Sequence, residues 1–210
     1  MSRAGMLLGR SGLQLLGYVN QNGNLGTVAI AWPAGTAVGD LAIFWGDNNS
    51  TGINPSTSSW TQLGTTLNCG GKLQWKILTT ADLTATVSMV GSTATVNAWV
   101  FRGASVATLK GQAGNASNGG DNTLTVTGFT KNTASRGIFQ MSASDATPAR
   151  TVGPSLAHGI AAPASPTGAQ YLAQARYTRE PTDYTNGTSF TLNLNTSTWS
   201  QDDLLVVEFT

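Results

Sequence analysis

Charged side chains are scarce in this 210-residue sequence. Asp, Glu, Lys and Arg together make up 10% of it, against about 25% in an ordinary soluble domain. The net charge is +1 and the basic residues are scattered, so no basic patch is available to neutralise nucleic-acid phosphates. Thr, Ser, Asn and Gln must supply the polar surface, and they can pack against other subunits without burying charge. The composition predicts an oligomer or a lattice and no nucleic-acid partner.

Cysteine and histidine are nearly missing. The single cysteine, Cys69, excludes an intrachain disulfide, and the single histidine, His158, excludes a two-histidine metal site. Cys69 precedes Gly70 and Gly71 at a predicted hairpin, where a structural role is expected. No nucleophile-elbow sequence accompanies His158. These shortages predict a protein with no cofactor, no metal and no catalytic centre, and therefore not an enzyme.

Two acidic segments have ordinary structural interpretations. Asp202 and Asp203 open the last predicted strand, and neighbouring strand residues point to opposite faces, so they cannot act together as acid and base. We expect both at a solvated strand start. Residues 47–52 resemble a calcium-binding loop, but Ser58 stands where such a loop needs a bidentate Glu. An Asx turn is expected there, with calcium binding as the alternative.

Long apolar runs are missing as well. The sequence has no apolar stretch of about 18 to 20 residues, so no membrane span is predicted. Arg10 and Gln14 interrupt the apolar amino terminus, which does not fit a signal peptide. Residues 1–24 are expected to form an arm or first strand for attachment, followed by one domain over residues 25–210. The apolar side chains expected to attach this arm are Met6, Leu7, Leu8 and Leu13.

Alternation of apolar and polar residues with a period of two runs through the chain. It is clearest in residues 27–32, 123–127 and 190–195, and it predicts half-buried strands. Other segments are apolar on both faces, as in strands that are covered on two sides. These segments are residues 40–45, 72–78, 95–101 and 204–209.

Gly- and Asn-rich turns separate the predicted strands, and helical periodicity is nearly missing. One short turn is expected at residues 80–83. The pattern predicts an all-β fold, an antiparallel β-sandwich. The two halves of the chain repeat a similar order of strands and loops, which favours a jelly-roll-like arrangement. Residues 104–121 and 146–167 are expected to form long loops.

Several of these segments resemble a known family. The chain contains PAGTAVGDLAIFW at residues 33–45, WTQL at residues 60–63, KLQWKILTTAD at residues 72–82 and WVFRG at residues 99–103. Together they resemble a sandwich module of tailed-bacteriophage virion proteins over most of residues 25–210. Its motif consists of turn and core residues without reactive groups. The resemblance implies a non-enzymatic virion structural protein, exposed on the particle as a tail- or fibre-associated protein or a capsid decoration.

The same resemblance implies partners and a location. Other virion proteins are the expected partners, and a homo-oligomer, taken as a trimer at the level of the family, is the expected state. The protein is then expected in the virion, after assembly in the host bacterial cytoplasm. Head, neck and tail positions all stay open, as does the host.

Aromatic residues supply the alternative function, a receptor- or glycan-binding sandwich module. Ring faces stack on the apolar faces of sugars, but Trp32, Trp45 and Trp75 share strand faces with isoleucines and are expected in the core. The candidate glycan contacts lie later in the chain. They are Arg176, Tyr177, Arg179, Asp183, Tyr184 and Trp199.

Overall fold

The structure is a computed structural model that describes residues 12–23, 26–48, 52–89, 94–115, 123–144, 150–153, 160–162, 172–179, 182–194 and 201–210. Within these ranges the chain forms strands and one short 3-10 turn. The strands are β1 (Gln14–Asn22), β2 (Gly26–Ala29), β3 (Leu41–Asp47), β4 (Thr61–Gln62), β5 (Lys72–Ile77), β6 (Thr86–Met89), β7 (Thr95–Arg102), β8 (Ala107–Asn115), β9 (Thr123–Val126), β10 (Gly137–Ser144), β11 (Arg150–Gly153), β12 (Ile160–Ala162), β13 (Leu172–Thr178), β14 (Phe190–Leu194) and β15 (Asp202–Phe209).

The strands form two five-stranded sheets and two smaller layers. The first sheet has the order β1-β7-β3-β5-β4 and the second sheet the order β12-β13-β10-β15-β8. An outer sheet has the order β11-β14-β9, and an outer ribbon pairs β2 with β6. Every pairing is antiparallel. The all-β prediction is confirmed, since the one helical element of the described residues is the 3-10 turn Asp82–Thr84. This turn overlaps the short turn predicted at residues 80–83.

The first and second sheets pack face to face around the main core. Trp99 and Phe101 of β7 contact Phe139 of β10, with ring centroids 5.1 and 5.8 Å apart. Phe101 also meets Phe209 of β15 at 4.6 Å. Aromatic rings from both sheets therefore interlock in this layer, as in other sandwiches. The predicted antiparallel β-sandwich is confirmed, while its jelly-roll-like topology stays a prediction.

Each five-stranded sheet is covered on its outer face too. Val87 of the outer ribbon shares a buried cluster with Phe44 of β3, and Phe190 of the outer sheet shares one with Leu204 of β15. β3 and β15 therefore have apolar neighbours on both faces. This layering explains why their sequences are apolar without alternation.

Two segments that were expected to be long loops contain strands. β8 lies within residues 104–121 and pairs with β15 along its whole length, and β11 and β12 lie within residues 146–167. In β8 the sequence ATLKGQAGN has no period-two pattern because small residues meet the covering layer. A Cβ atom at Gly111 would collide with the side chain of Val126 in β9, so the close approach of the layers requires glycine there.

The segment predicted as an arm or first strand, residues 1–24, contains strand β1. β1 is part of the first sheet and pairs with β7 from Gln14 to Asn22. Leu13 is 1% exposed and lies in the main core, beside the position of Gly137. Its side chain therefore stabilises the sandwich instead of serving as an attachment contact. Met6, Leu7 and Leu8 lie outside the described residues.

Candidate functional site

The two tyrosines predicted to bind glycans are core residues. Tyr177 is 5% exposed and packs edge-on against Phe101 at 5.6 Å. Tyr184 is 1% exposed, packs against Phe129 at 5.6 Å, and its hydroxyl shares a 2.7 Å hydrogen bond with Ser135 Oγ. Neither ring face is available to stack on a sugar. The alternation signal missed this because Tyr184 lies in a loop that folds back onto the outer sheet.

The other predicted glycan contacts that the structure describes are polar residues near the end of β13. Arg179 is exposed and Arg176 is half-buried. Asp183 accepts a 2.6 Å hydrogen bond from Thr178 Oγ1, which fixes the loop to the end of β13. Trp199 lies outside the described residues.

The core position of Tyr184 gives a direct prediction. Burial raises the pKa of Tyr184 to about 12, so the phenol stays neutral and keeps its hydrogen bond. Tyr184→Phe removes that bond and retains the ring, and we expect a loss of about 1 kcal/mol in the free energy of unfolding, measured by urea denaturation. Tyr18→Phe, at a position that is 43% exposed, is the control and should change little. Equal effects of the two variants would contradict the assignment.

The motif residues at one end of the first sheet form an ion pair. Asp40 lies just before β3 and Arg102 ends β7. Arg102 Nε and an Nη atom donate to the two carboxylate oxygens of Asp40 at 2.9 and 2.8 Å. The same Nη atom donates to the Gly35 carbonyl at 2.9 Å, and the Ala37 amide donates to Asp40 at 2.8 Å. The ion pair between Asp40 of the GD sequence and Arg102 of the FRG sequence therefore holds the turn at residues 33–40 against β7.

A second carboxylate, Asp82 of the TTAD sequence, is fully buried. It accepts hydrogen bonds from Lys76 Nζ at 2.8 Å, Thr57 Oγ1 at 2.5 Å, and the amide and hydroxyl of Thr79 at 2.8 and 2.6 Å. Burial alone would raise the pKa of Asp82, but these hydrogen bonds outweigh it and lower the pKa to about 2. The side chain is therefore an anion at neutral pH, and it joins β5, the 3-10 turn and the loop before β4.

The tryptophans near this carboxylate have structural partners. Trp60, the first residue of the WTQL sequence, donates to Thr57 Oγ1 at 3.1 Å and packs on Phe44 at 5.6 Å. Trp32 Nε1 donates to the Asp82 carbonyl at 2.8 Å. Trp45 is fully buried, as predicted, while Trp32 and Trp75 pack partly buried against apolar clusters. Every segment of the motif thus lies in the first sheet or packs against it.

The acidic pair at the start of β15 was expected to be solvated, and that expectation is wrong. Asp202 and Asp203 are both 0% exposed, because β15 lies between β10 and β8 with layers on both faces. Asp203 accepts from Asn68 Nδ2 at 3.0 Å and from the Cys69 amide at 3.2 Å. Burial raises the pKa of Asp203 to about 6. The hairpin that carries Cys69, a buried free thiol, is therefore tied to β15.

The second sheet contains another buried carboxylate that the sequence patterns missed. Glu208 of β15 is 1% exposed, lies 3.0 Å from Lys110 Nζ and accepts from the Asn132 amide at 2.9 Å. Lys110 also stands 5.6 Å from the centre of the Phe129 ring. The sequence alone did not pair Glu208 with Lys110, because the segment that forms β8 was expected to be a loop.

Three buried carboxylates of the described residues pair with basic side chains. Across the described ranges, His, Cys, Asp and Glu residues form no group of three or more that could hold a metal ion. Asp40, Asp82 and Glu208 each hold a cation in a structural bond. His158 lies outside the described residues. These three ion pairs can stabilise a layered scaffold.

Neither protein-family models nor curated proteins match the sequence, and no solved structure matches the fold. No helix among the described residues has the length and apolar character needed to cross a membrane.

Proposed function

We propose that this protein is a non-enzymatic structural component of a tailed-bacteriophage particle. It would be exposed as a tail- or fibre-associated protein or as a capsid decoration, and it would act through protein-protein assembly. The observation that carries the proposal is the structural use of the motif. Four of the five charged residues of the family-like segments, Asp40, Lys76, Asp82 and Arg102, form ion pairs within the fold. A motif of this kind specifies a scaffold instead of a reaction.

Composition supports the same proposal. The chain has 21 charged residues in 210, and six of them form ion pairs within the fold. The remaining surface is largely neutral, which suits burial against other subunits and gives little electrostatic repulsion between copies. Other virion proteins are the proposed partners, together with a homo-oligomer, for which the family resemblance alone implies a trimer. A jelly-roll-like topology is proposed as well. The proposed location is the virion, after assembly in the host cytoplasm.

The receptor- or glycan-binding alternative is less well supported. Two of its aromatic contacts, Tyr177 and Tyr184, are buried, so these two rings cannot form the expected stacking surface. Arg179 is exposed and Arg176 is half-buried, but cations alone do not supply the ring faces on which sugars stack.

Co-purification with particles tests the proposal. Particles made by the phage that carries this gene should retain the protein through a density gradient and a high-salt wash, in a fixed ratio to the major capsid protein, as measured by mass spectrometry. Recovery only in the soluble part of the lysate would overturn the proposal. An activity assay is not needed to decide it.

A further inference from the structure

The two five-stranded sheets have four edge strands with different protection. β4 and β12 are short, with two and three residues. β8 has nine residues, but it is interrupted by an irregularity opposite Val206 and Val207 and contains Lys110. The Thr65 amide also donates to Gln112 of β8 at 3.1 Å. Shortness, a bulge and a lysine are recognised ways to prevent pairing between sheet edges.

β1 is the remaining edge, and it has little protection of this type. It runs over nine residues, Gln14–Asn22, and among the described residues it pairs with β7 alone. It contains no Pro and no charged residue, and no Asp, Glu, Lys or Arg occurs between Arg10 and Asp40. Its one irregularity lies between Leu15 and Gly17, which leaves residues 17–22 as a regular strand. Tyr18, within that part, is 43% exposed.

An edge of this kind can accept another strand. In an antiparallel ladder every second residue directs its N–H and C=O groups away from the existing partner, so the regular part of β1 offers a row of hydrogen-bonding groups. A partner strand completes these bonds and gains contacts to alternate side chains. The strand that pairs with β1 is expected to be uncharged, because β1 provides no charge to attract a charged strand.

We infer that β1 pairs antiparallel with β1 of a second copy of this chain. The same neutral segment then faces itself across a two-fold axis, so no like charges meet and each copy contributes the same hydrogen-bonding groups. The first sheets of the two copies join into one continuous sheet. This contact gives a dimer, in place of the trimer expected from the family resemblance. It does not depend on the phage assignment, because it uses only the edge geometry and the charge pattern.

Light scattering during size-exclusion chromatography tests the contact. The 210-residue protein should have twice the chain mass of 21.7 kDa. Tyr18→Lys places a charge on the edge of each copy, close to the two-fold axis, and should raise the dissociation constant roughly tenfold or more. Val106→Lys is the matched control, since Val106 is 40% exposed and lies between β7 and β8. It should leave the dimer intact.

Amide hydrogen exchange locates the contact independently. Amides of β1 should be protected at concentrations where the dimer forms and should lose that added protection in Tyr18→Lys. A monomer or a trimer at high concentration would overturn the inference. So would a dimer that Tyr18→Lys and Val106→Lys affect equally, or one in which β1 exchange does not depend on concentration.

Discussion

Replacing Asp82 by Ala is expected to lower the free energy of unfolding by about 3 to 5 kcal/mol, the usual cost of removing one partner of a buried ion pair. Lys76, whose side chain is 12% exposed, would lose its carboxylate, and Thr57 and Thr79 would lose their acceptor. β5, the 3-10 turn and the loop before β4 would lose the carboxylate that joins them. Urea denaturation followed by tryptophan fluorescence measures the loss.

Asp40→Ala is the matched control for this prediction. Asp40 also pairs with a cation, but the Arg102 side chain is 49% exposed and water can replace the carboxylate. Asp40→Ala should therefore cost less than Asp82→Ala. A larger loss in Asp40→Ala would contradict the conclusion that the buried Asp82–Lys76 pair stabilises the fold more than the Asp40–Arg102 pair does.

The pH dependence of Asp82 gives a second measurement on the same residue. Its pKa in the folded state is about 2, below the ordinary value of 3.8, so the folded protein favours the anion. This stabilisation is complete above about pH 4 and is lost as the pH falls towards 2. The difference corresponds to roughly 2 to 3 kcal/mol, and Asp82→Ala should remove it.

Asp203 is expected to act in the opposite direction. Its pKa in the folded state is about 6, above the ordinary 3.8, because the groups that bond to it, Asn68 and Cys69, carry no charge to offset burial. The folded protein therefore favours the protonated form. Stability from this group is complete below about pH 4 and is lost as the pH rises through 6, by roughly 3 kcal/mol in total. Urea denaturation at intervals between pH 4 and 8 measures it.

Asp203→Asn tests the origin of this slope. The amide has nearly the same shape but does not titrate, so the decrease in stability between pH 4 and 7 should disappear in this variant. A slope that persists in Asp203→Asn would show that another group is responsible. The Asp82 and Asp203 contributions together are largest near pH 4.

Much of the sandwich could be predicted because its half-buried strands alternate. β9 and β14 each have one face on the core and one towards solvent, so Leu124, Val126, Phe190 and Leu192 mark them in the sequence. The apolar strands β3 and β15 could also be recognised, since coverage on both faces removes polar positions. These signals are local, and each depends only on the environment of one strand.

The missed features depend on layers that meet across long sequence separations. Asp203 looks like a solvated strand start until the hairpin around Asn68, 135 residues away in sequence, donates hydrogen bonds to it. β8 has weak alternation because Gly111 must let Val126 approach. Tyr184 looks like a loop aromatic because its contact with Phe129 is formed by a fold-back of the chain. Periodicity reports none of these contacts.

Immunoelectron microscopy of intact phage particles tests the proposed role as an exposed virion protein most directly. An antibody raised against the folded protein should label the particles produced by the phage that carries this gene, at regularly repeated sites on the capsid or along the tail. Particles assembled without the gene product should stay unlabelled. Intact particles that bind no antibody, while the same antibody detects the protein free in the lysate, would contradict its assignment as an exposed structural component.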